Sequence, residues 1–526
     1  MSLVSLAVGP NNPVTTATLS ATLASLGVSL PPSELEAYTA LLAGSHETYE
    51  KVLAMPDYLP PVDEDRFPRT NVHFPAKADN PSNAWAWKVS VKDKTPEGLL
   101  KGKTICLKDN VGLKGVPCLL GSDFLTGWTP NTDATICTRI LEAGGEILGK
   151  AVCENLCLWG ASFSAATGPI DNVYAAGYSA GGSSSGSAVL VARGDCDLGI
   201  GGDQGGSIRL PCMANGLVGL KPTSGLVPYT GIASLEQVID HAGPMTKNVL
   251  DNALFLQVLA GVDGIDDRQQ AGCPLPKDVP DYFAIAKSGV KGLRIGLLRE
   301  SFEMDTADPR VSALVEKAAL ELRGQGAIVE DVSIPFHKVG AELWMVVCRI
   351  SGSTSLLGKA SGRRVHYMND LTEKMVVNEE SFNKLFPSAK NVLINGVYAS
   401  EQCSPTLLGK AMNQGRRLKD EYAAALSKYD VLITPTVPWV TKTNAPPTAT
   451  IMEIFSKSHG LTVNTNPFNL TGHPALTLPV GFLSPVDDSS VKLPIGMQIV
   501  GKWFDEPMVY RVAQAWESTH DWKFFA

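Results

Sequence analysis

Apolar positions along the chain change their period several times, and each change marks out a different kind of element. Between residues 14 and about 55 they recur at helical spacing behind helix-opening signals, as in Pro31-Pro32-Ser33-Glu34-Leu35-Glu36-Ala37-Tyr38. Proline, serine and acids at the start of such a run predict a helical appendage. From Met55 to about Thr95 the period is lost among Pro56, Pro60, Pro61, Pro68, Pro75 and Pro81. That stretch reads as a long wrapping connection, so residues 1–90 are assigned to an N-terminal helical extension and linker.

From about Lys101 short β-like runs alternate with helical ones. Thr104–Leu107 precedes a helix from about Ala134 to Glu142, which Gly144-Gly145 stop before Ile147-Leu148. The same rhythm returns at Val311–Arg323, Gly324-Gln325-Gly326 and Ala327–Val332, and further strands are expected at Leu293–Leu298, Val431–Thr434, Leu476–Val480 and Ile495–Val500. Such alternation predicts an α/β fold around a largely parallel or a mixed β-sheet flanked by helices, over residues 91–526. The stretch from about 302 to 410 is more polar and less regular, and is expected to be a lid or subdomain.

Composition narrows the classes. The 526 residues are 44% hydrophobic and 19% charged, a globular balance, and the net charge of −8 disfavours nucleic acid as a partner. The longest basic clusters are Gly415-Arg416-Arg417-Leu418-Lys419 and Gly362-Arg363-Arg364. Met1 to Asn12 lacks a basic n-region and an apolar h-region, and no window reaches the roughly 18 apolar residues of a membrane span, so a soluble cytoplasmic protein is expected. The ten cysteines lie mostly in apolar runs and read as free buried thiols. Cys153 and Cys157 are spaced as on one helix face, but no second Cys or His pair follows that would make a zinc site.

The candidate chemistry centres on Gly201-Gly202-Asp203-Gln204-Gly205-Gly206-Ser207-Ile208-Arg209. A serine after paired glycines is ordinarily a turn residue or helix cap. Here it follows a strand end, Leu198-Gly199-Ile200, and the N–H groups of Gln204, Gly205 and Gly206 beside it can serve as an oxyanion site for a nucleophilic Ser207. A rival is Gly182-Ser183-Ser184-Ser185-Gly186, which matches the nucleophile elbow with Ser184 at its centre and His473 as the available base. No apolar strand precedes it, and Ser187–Ala192 reads instead as a buried helix. A dinucleotide fingerprint counted from Gly199 fails in register at Gln204. Lys108 closes the apolar run Ile105-Cys106-Leu107; it can act as a base only when held uncharged against apolar walls, with Asp109 turned to the opposite side.

Together these residues resemble the amidase signature family, serine hydrolases with a Lys–Ser–Ser triad whose middle serine follows a cis peptide bond. Leu107-Lys108-Asp109-Asn110, Gly181-Gly182-Ser183-Ser184 and Gly205-Gly206-Ser207-Ile208-Arg209 carry the likeness, with 75 and 24 residues between Lys108, Ser183 and Ser207. Gly149–Asn155, Gly216–Thr223, Gly243–Thr246 and Asn466–Pro479 extend it from about residue 90 to the C-terminus. The resemblance implies a central mixed sheet, Ser207 as nucleophile, Ser183 as proton bridge, Lys108 as base, and no metal or cofactor. Asp203 and Arg209 become supports of the loop. Ser185 stands where the family commonly has glycine.

The Gly-Gly-Asp-Gln-Gly-Gly-Ser variant, with the N-terminal extension and Asn83-Ala84-Trp85, is most similar to broad-range amidases of nitrile metabolism and fungal amidase and urethanase relatives. That subgroup implies a homodimer and small aliphatic or aromatic amides as substrates, with carbamates such as ethyl carbamate as the alternative. The tRNA-dependent amidotransferases lack such an extension, and the fatty-acid amide hydrolases are membrane-attached. Trp159, Phe163, Tyr229, Ile232 and Trp344 are the candidate pocket walls. A binding protein without catalysis is disfavoured by the intact Lys108, Ser183 and Ser207.

Overall fold

The computed structural model describes residues 7–125, 127–359 and 366–525, and the chain divides into two compact units at Pro60 and Pro61. The first unit is a pair of helices, Thr16–Ser25 and Pro32–Leu53. Thr15 caps the first by accepting the Thr18 N–H, and a proline opens the second where a missing N–H costs nothing. Asn12 pins the preceding chain to the second helix, its Nδ2 donating to the Ala43 carbonyl at 3.0 Å and to Glu47 Oε1 at 2.6 Å.

The second unit is built on strands β1 (Arg69–His73), β2 (Trp85–Val91), β3 (Thr104–Lys108), β4 (Glu146–Ala151), β5 (Asp171–Asn172), β6 (Ala175–Ser179) and β7 (Leu198–Asp203). They are followed by β8 (Val218–Lys221), β9 (His241–Thr246), β10 (Arg294–Leu298), β11 (Ile328–Val332), β12 (Val431–Pro435), β13 (Ala475–Leu483) and β14 (Leu493–Gly501). β5 and β6 pair with each other, and the other twelve form one sheet in the order β1-β2-β4-β3-β7-β9-β8-β13-β14-β12-β10-β11. β3 runs parallel to β4 and β7, and β10 parallel to β11 and β12. The remaining pairs are antiparallel, so the sheet is mixed.

β7, β8, β9, β12 and β14 are buried at every position, the mark of a sheet covered on both faces. Helix Ser185–Arg193 packs against β3 and β7, Arg209–Ala214 against β8, β13 and β14, and Glu506–Glu517 against β13 and β14.

Two expectations about organisation need correction. Residues 61–90 are not a linker: β1 and β2 lie within 61–91 and extend the sheet at one edge. Pro75 and Pro81 fall in the connection between these two strands, where they punctuate and do not interrupt. The region 302–410 is not uniformly irregular either. Helix Pro309–Glu321 packs on β12, β13 and β14, and β11 is the opposite edge of the sheet. Only from Gly340 onward does the segment become a helical layer, with helices Gly340–Leu356, Pro387–Gln402 and Leu407–Leu426. The cluster Gly362-Arg363-Arg364 lies outside the described residues.

What this fold supplies to a site is a pair of adjacent parallel strands, β3 and β7, that end side by side. Ligands in α/β sheets gather beyond such carboxyl ends. The helix after the second serine cluster is seated against the chain leaving β4 by close backbone contact at Gly186. Its N–H donates to the Val152 carbonyl at 2.9 Å, and a methyl group there would lie 2.5 Å from the Ala84 carbonyl and 2.6 Å from the Val152 backbone. Gly186→Ala is therefore expected to destabilise the second unit by about 1–3 kcal/mol; chemical denaturation followed by tryptophan fluorescence reads the shift.

Candidate active site

Lys108 is the last residue of β3 and is wholly buried. Its Nζ lies 2.8 Å from Ser183 Oγ and 3.0 Å from the Gly202 carbonyl. Among the described residues no carboxylate pairs with it. Asp109 turns away, as expected: its Oδ2 accepts the N–H groups of Leu119 and Leu120 at 2.8 and 3.0 Å, and its Oδ1 faces Lys150 Nζ at 3.4 Å.

Ser183 follows a cis peptide bond from Gly182. Its carbonyl accepts the Glu154 N–H at 3.1 Å. Ser184 is tied on both sides to Gly202, donating to its carbonyl at 3.2 Å and accepting its N–H at 3.3 Å. Ser183 and Ser184 are 0% exposed whereas Ser207, also buried, keeps 8% of its surface open. His473 is no base for Ser184. Burial, with the charges of Lys221 and Lys419, pushes its imidazole down to about 3, and its Nδ1 is 3.0 Å from Thr471 Oγ1. The nucleophile-elbow arrangement is absent from this region.

The loop that carries Ser207 is fixed by Asp203, the last residue of β7, and Arg209, both fully buried. Arg209 Nε and Nη2 each donate to the carboxylate at 3.0 Å. Nη1 reaches the Thr465 carbonyl at 2.9 Å and Gln498 Oε1 at 2.7 Å, while Nη2 also reaches Asn469 Oδ1 at 2.7 Å. Burial opposes ionisation of Asp203, but the Arg209 charge and the bonds from Arg209 and Asn469 hold its carboxyl well below the usual range. Removing one partner from such a pair strands a buried charge and costs about 3–5 kcal/mol.

One assignment changes here. The Gly206 N–H donates to Asp203 Oδ1 at 2.6 Å, so it is engaged in holding the loop and is not available to an oxyanion. Ile208 N–H is held by the other carboxylate oxygen at 3.1 Å. Among the described residues the N–H groups of Gln204, Gly205 and Ser207 have no such partner. Ser207 N–H is an unengaged donor that reading the glycines alone misses, because nothing in sequence says which N–H groups the aspartate will take.

Beyond Gln204 opens a cavity of about 180 Å³ whose walls include Asn110, Leu156, Tyr229, Ile232, Leu235 and Leu356. Gln204 Nε2 donates to the Tyr229 hydroxyl at 2.9 Å, and Asn110 Nδ2 lies 3.4 Å from it. The charged pair in the wall is internally satisfied, with Arg268 donating twice to Asp266 at 2.8 Å.

Of the five expected pocket walls, Tyr229 and Ile232 line this cavity. Trp344 does not, but its Nε1 donates to the Gln204 carbonyl at 2.6 Å, and a methyl on Gly205 would meet its ring at 2.7 Å. Trp159 and Phe163 are not walls of it. They join Phe386 and Phe455 in a separate aromatic group, with Trp159 and Phe455 edge-to-face at 5.1 Å.

The amidase family model matches residues 66–510 of this chain. The chain belongs to the amidase signature family. It is 38% identical over 489 residues to an enantioselective amidase of Rhodococcus rhodochrous, covering 91% of this chain and 89% of that protein. It is also 34% identical to a glutamyl-tRNA(Gln) amidotransferase component of Synechococcus sp. (strain WH7803), over 80% of this chain and 84% of the other. Among solved structures, a bacterial aryl acylamidase of the family superposes with a TM-score of 0.67 at 25% identity, over 81% of this chain and 84% of the other. The peptide amidase of Stenotrophomonas maltophilia does so with a TM-score of 0.63 at 30% identity, over 80% and 83%. The protein is thus an amidase-family hydrolase acting on amide C–N bonds.

Behind Ser183 sits Glu154, fully buried, with Oε2 accepting from Ser164 Oγ at 2.7 Å and Oε1 unpartnered. Burial pushes its carboxyl up to about 7, against the lowering effect of Ser164. A carboxyl raised on folding holds its proton more tightly in the native state, so stability falls as pH rises from the ordinary carboxylate range to about 7. Glu154→Gln removes that loss. The variant's stability relative to the parent is expected to rise across pH 5–7 by an amount of order 1–3 kcal/mol, read by denaturation midpoints at each pH.

Proposed function

We propose that this amidase hydrolyses neutral amides with a compact apolar acyl group, through an acyl-enzyme on Ser207. The observation that carries the assignment of roles is the 2.8 Å contact between the buried Lys108 Nζ and Ser183 Oγ, beside a loop whose serine keeps 8% of its surface open where Ser183 and Ser184 keep none. In this reading Ser207 Oγ rotates onto Ser183 and attacks the amide carbon. Its proton passes to Ser183, whose own proton passes to the uncharged amine of Lys108. The N–H groups of Gln204, Gly205 and Ser207 receive the developing oxyanion. The relay then runs backward, Ser183 protonating the departing nitrogen as the C–N bond breaks. Water, deprotonated by the same relay, adds to the ester and releases the acid and Ser207.

Supporting Lys108 as the base is the direction of Asp109, which pairs with Lys150 and leaves the Lys108 amine with hydroxyl and carbonyl neighbours. Ser207→Ala and Lys108→Ala are each expected to lower kcat by about 10⁴–10⁶ without altering the circular dichroism spectrum. A fluorophosphonate probe is expected to label Ser207 alone; labelling of Ser184, or near-parental activity of Lys108→Ala, overturns the assignment.

The acyl class is read from the cavity. Its volume of about 180 Å³ compares with the roughly 150 Å³ apolar cavity that takes a benzene ring in another protein, so an arylalkyl or branched aliphatic group fits. The polar end at Gln204, Tyr229 and Asn110 offers no unpaired charge to a charged acyl group. Phenylacetamide-sized amides are expected to exceed acetamide and ethyl carbamate in kcat/KM, because the smaller acyl groups leave most of the cavity unfilled. Ile232→Phe should lower kcat/KM for the aryl amide roughly 10–100-fold and spare acetamide; equal losses for both substrates would place the acyl group elsewhere.

A further inference from the structure

Cys153 and Cys157 were expected on one turn of a helix. Instead the chain after β4 makes a tight turn in which Leu156 and Cys157 both take left-handed backbone angles, with φ of 49° and 60°. The turn folds Cys157 back onto Cys153, and their sulphurs lie 3.7 Å apart. The two thiols have different surroundings. Cys153 is wholly buried, whereas Cys157 is partly open and contributes to the wall of the acyl cavity. The same turn touches the relay: Cys157 N–H donates to the Glu154 carbonyl at 2.8 Å, and Glu154 N–H donates to the Ser183 carbonyl at 3.1 Å.

We propose that Cys153 and Cys157 are an oxidisable dithiol in the wall of the active site, closed by peroxides to an intramolecular disulfide that shuts down turnover. Cys157 is the attacking sulphur. It faces the cavity through which a small oxidant enters, and its hydrogen bond with Cys153 brings its thiol down to about 7 against the effect of burial. Cys153 is kept protonated, its thiol raised by the hydrogen bond with Cys157 and by burial. An accessible low-pKa thiol beside a second cysteine is the arrangement of reversible redox cysteines.

The chemistry balances with hydrogen peroxide as the oxidant. The Cys157 thiolate attacks one peroxide oxygen, the O–O bond breaks, and with one proton taken up the products are a sulfenic acid and water. The Cys153 sulphur then attacks the sulfenic sulphur, its proton leaves with the hydroxyl as a second water, and the S–S bond forms. Two thiols are oxidised and one peroxide is reduced. The sulphurs must approach from 3.7 Å to about 2.05 Å. This draws Cys157 out of the cavity wall and pulls on the Glu154 segment that holds the Ser183 carbonyl.

Only the effect on turnover rests on the acyl-enzyme reading; the disulfide itself does not. The full-length protein is therefore treated with hydrogen peroxide, alkylated, digested and mapped by mass spectrometry in parallel with amide hydrolysis. A Cys153–Cys157 disulfide is expected to accumulate as activity falls at least 10-fold, both reversing with dithiothreitol. Cys153→Ala is expected to keep basal activity and form no disulfide; its Cys157 stops at the sulfenic acid, which dithiothreitol restores after brief exposure but not once excess peroxide has carried it to the sulfinic acid. Absence of the disulfide in oxidised parental protein, or loss in Cys153→Ala that stays dithiothreitol-reversible after prolonged excess peroxide, overturns the proposal. A disulfide that forms with full activity retained refutes the control of turnover and leaves the acyl-enzyme assignment to its own tests.

Discussion

The buried pair of Asp203 and Arg209 is the constraint on which the rest of the site depends. A glycine-rich connection leaving a strand has little reason to hold one shape, because glycine gives up the most conformational freedom on ordering. Here the carboxylate takes the N–H groups of Gly206 and Ile208, on either side of Ser207, and the guanidinium carries the restraint to Thr465, Asn469 and Gln498 in the last quarter of the chain. The N–H groups that the carboxylate leaves untouched are the ones that can serve an oxyanion. Loop rigidity and donor placement thus come from the same two charges.

A second division of labour separates two buried lysines. Lys150, on β4, faces Asp109 and approaches Cys118, whereas Lys108, on the neighbouring strand, meets a serine hydroxyl and a backbone carbonyl. Lys150 has a carboxylate partner, and Lys108 is left with neutral ones. The parallel pairing of β3 with β4 and β7 sets up this arrangement, since it delivers Lys108, the Glu154 segment and the Ser207 loop to one end of the sheet. The cavity then takes its character from the layer after Gly340, where Leu356 closes one side.

Much of this was legible in the chain. Lys108, Ser183 and Ser207 stood out through glycine context and mutual spacing, and the helix–glycine–strand rhythm found β3, β4 and β10 to β14 to within a few residues. The failures share one cause, that local signals do not report on partners distant in sequence. Prolines masked β1 and β2, although the prolines between them sit in the turn. Trp159 and Phe163 meet Phe386 and Phe455, more than two hundred residues later, in an aromatic group apart from the cavity beyond Gln204.

By itself the sequence determined the family: Lys108, Ser183 and Ser207, each ordinary alone, carry the amidase signature likeness through their glycine settings and mutual spacing, because residue type and order fix which groups can react. It also determined the alternation of elements that makes an α/β sheet. Tertiary structure alone decided which N–H groups stay free, which lysine is ion-paired, the size of the cavity beyond Gln204, and that Cys153 meets Cys157 beside it. Each of those is a matter of distance between side chains and backbone brought together by packing, and a linear pattern of polar and apolar residues carries no distances beyond one turn or one strand.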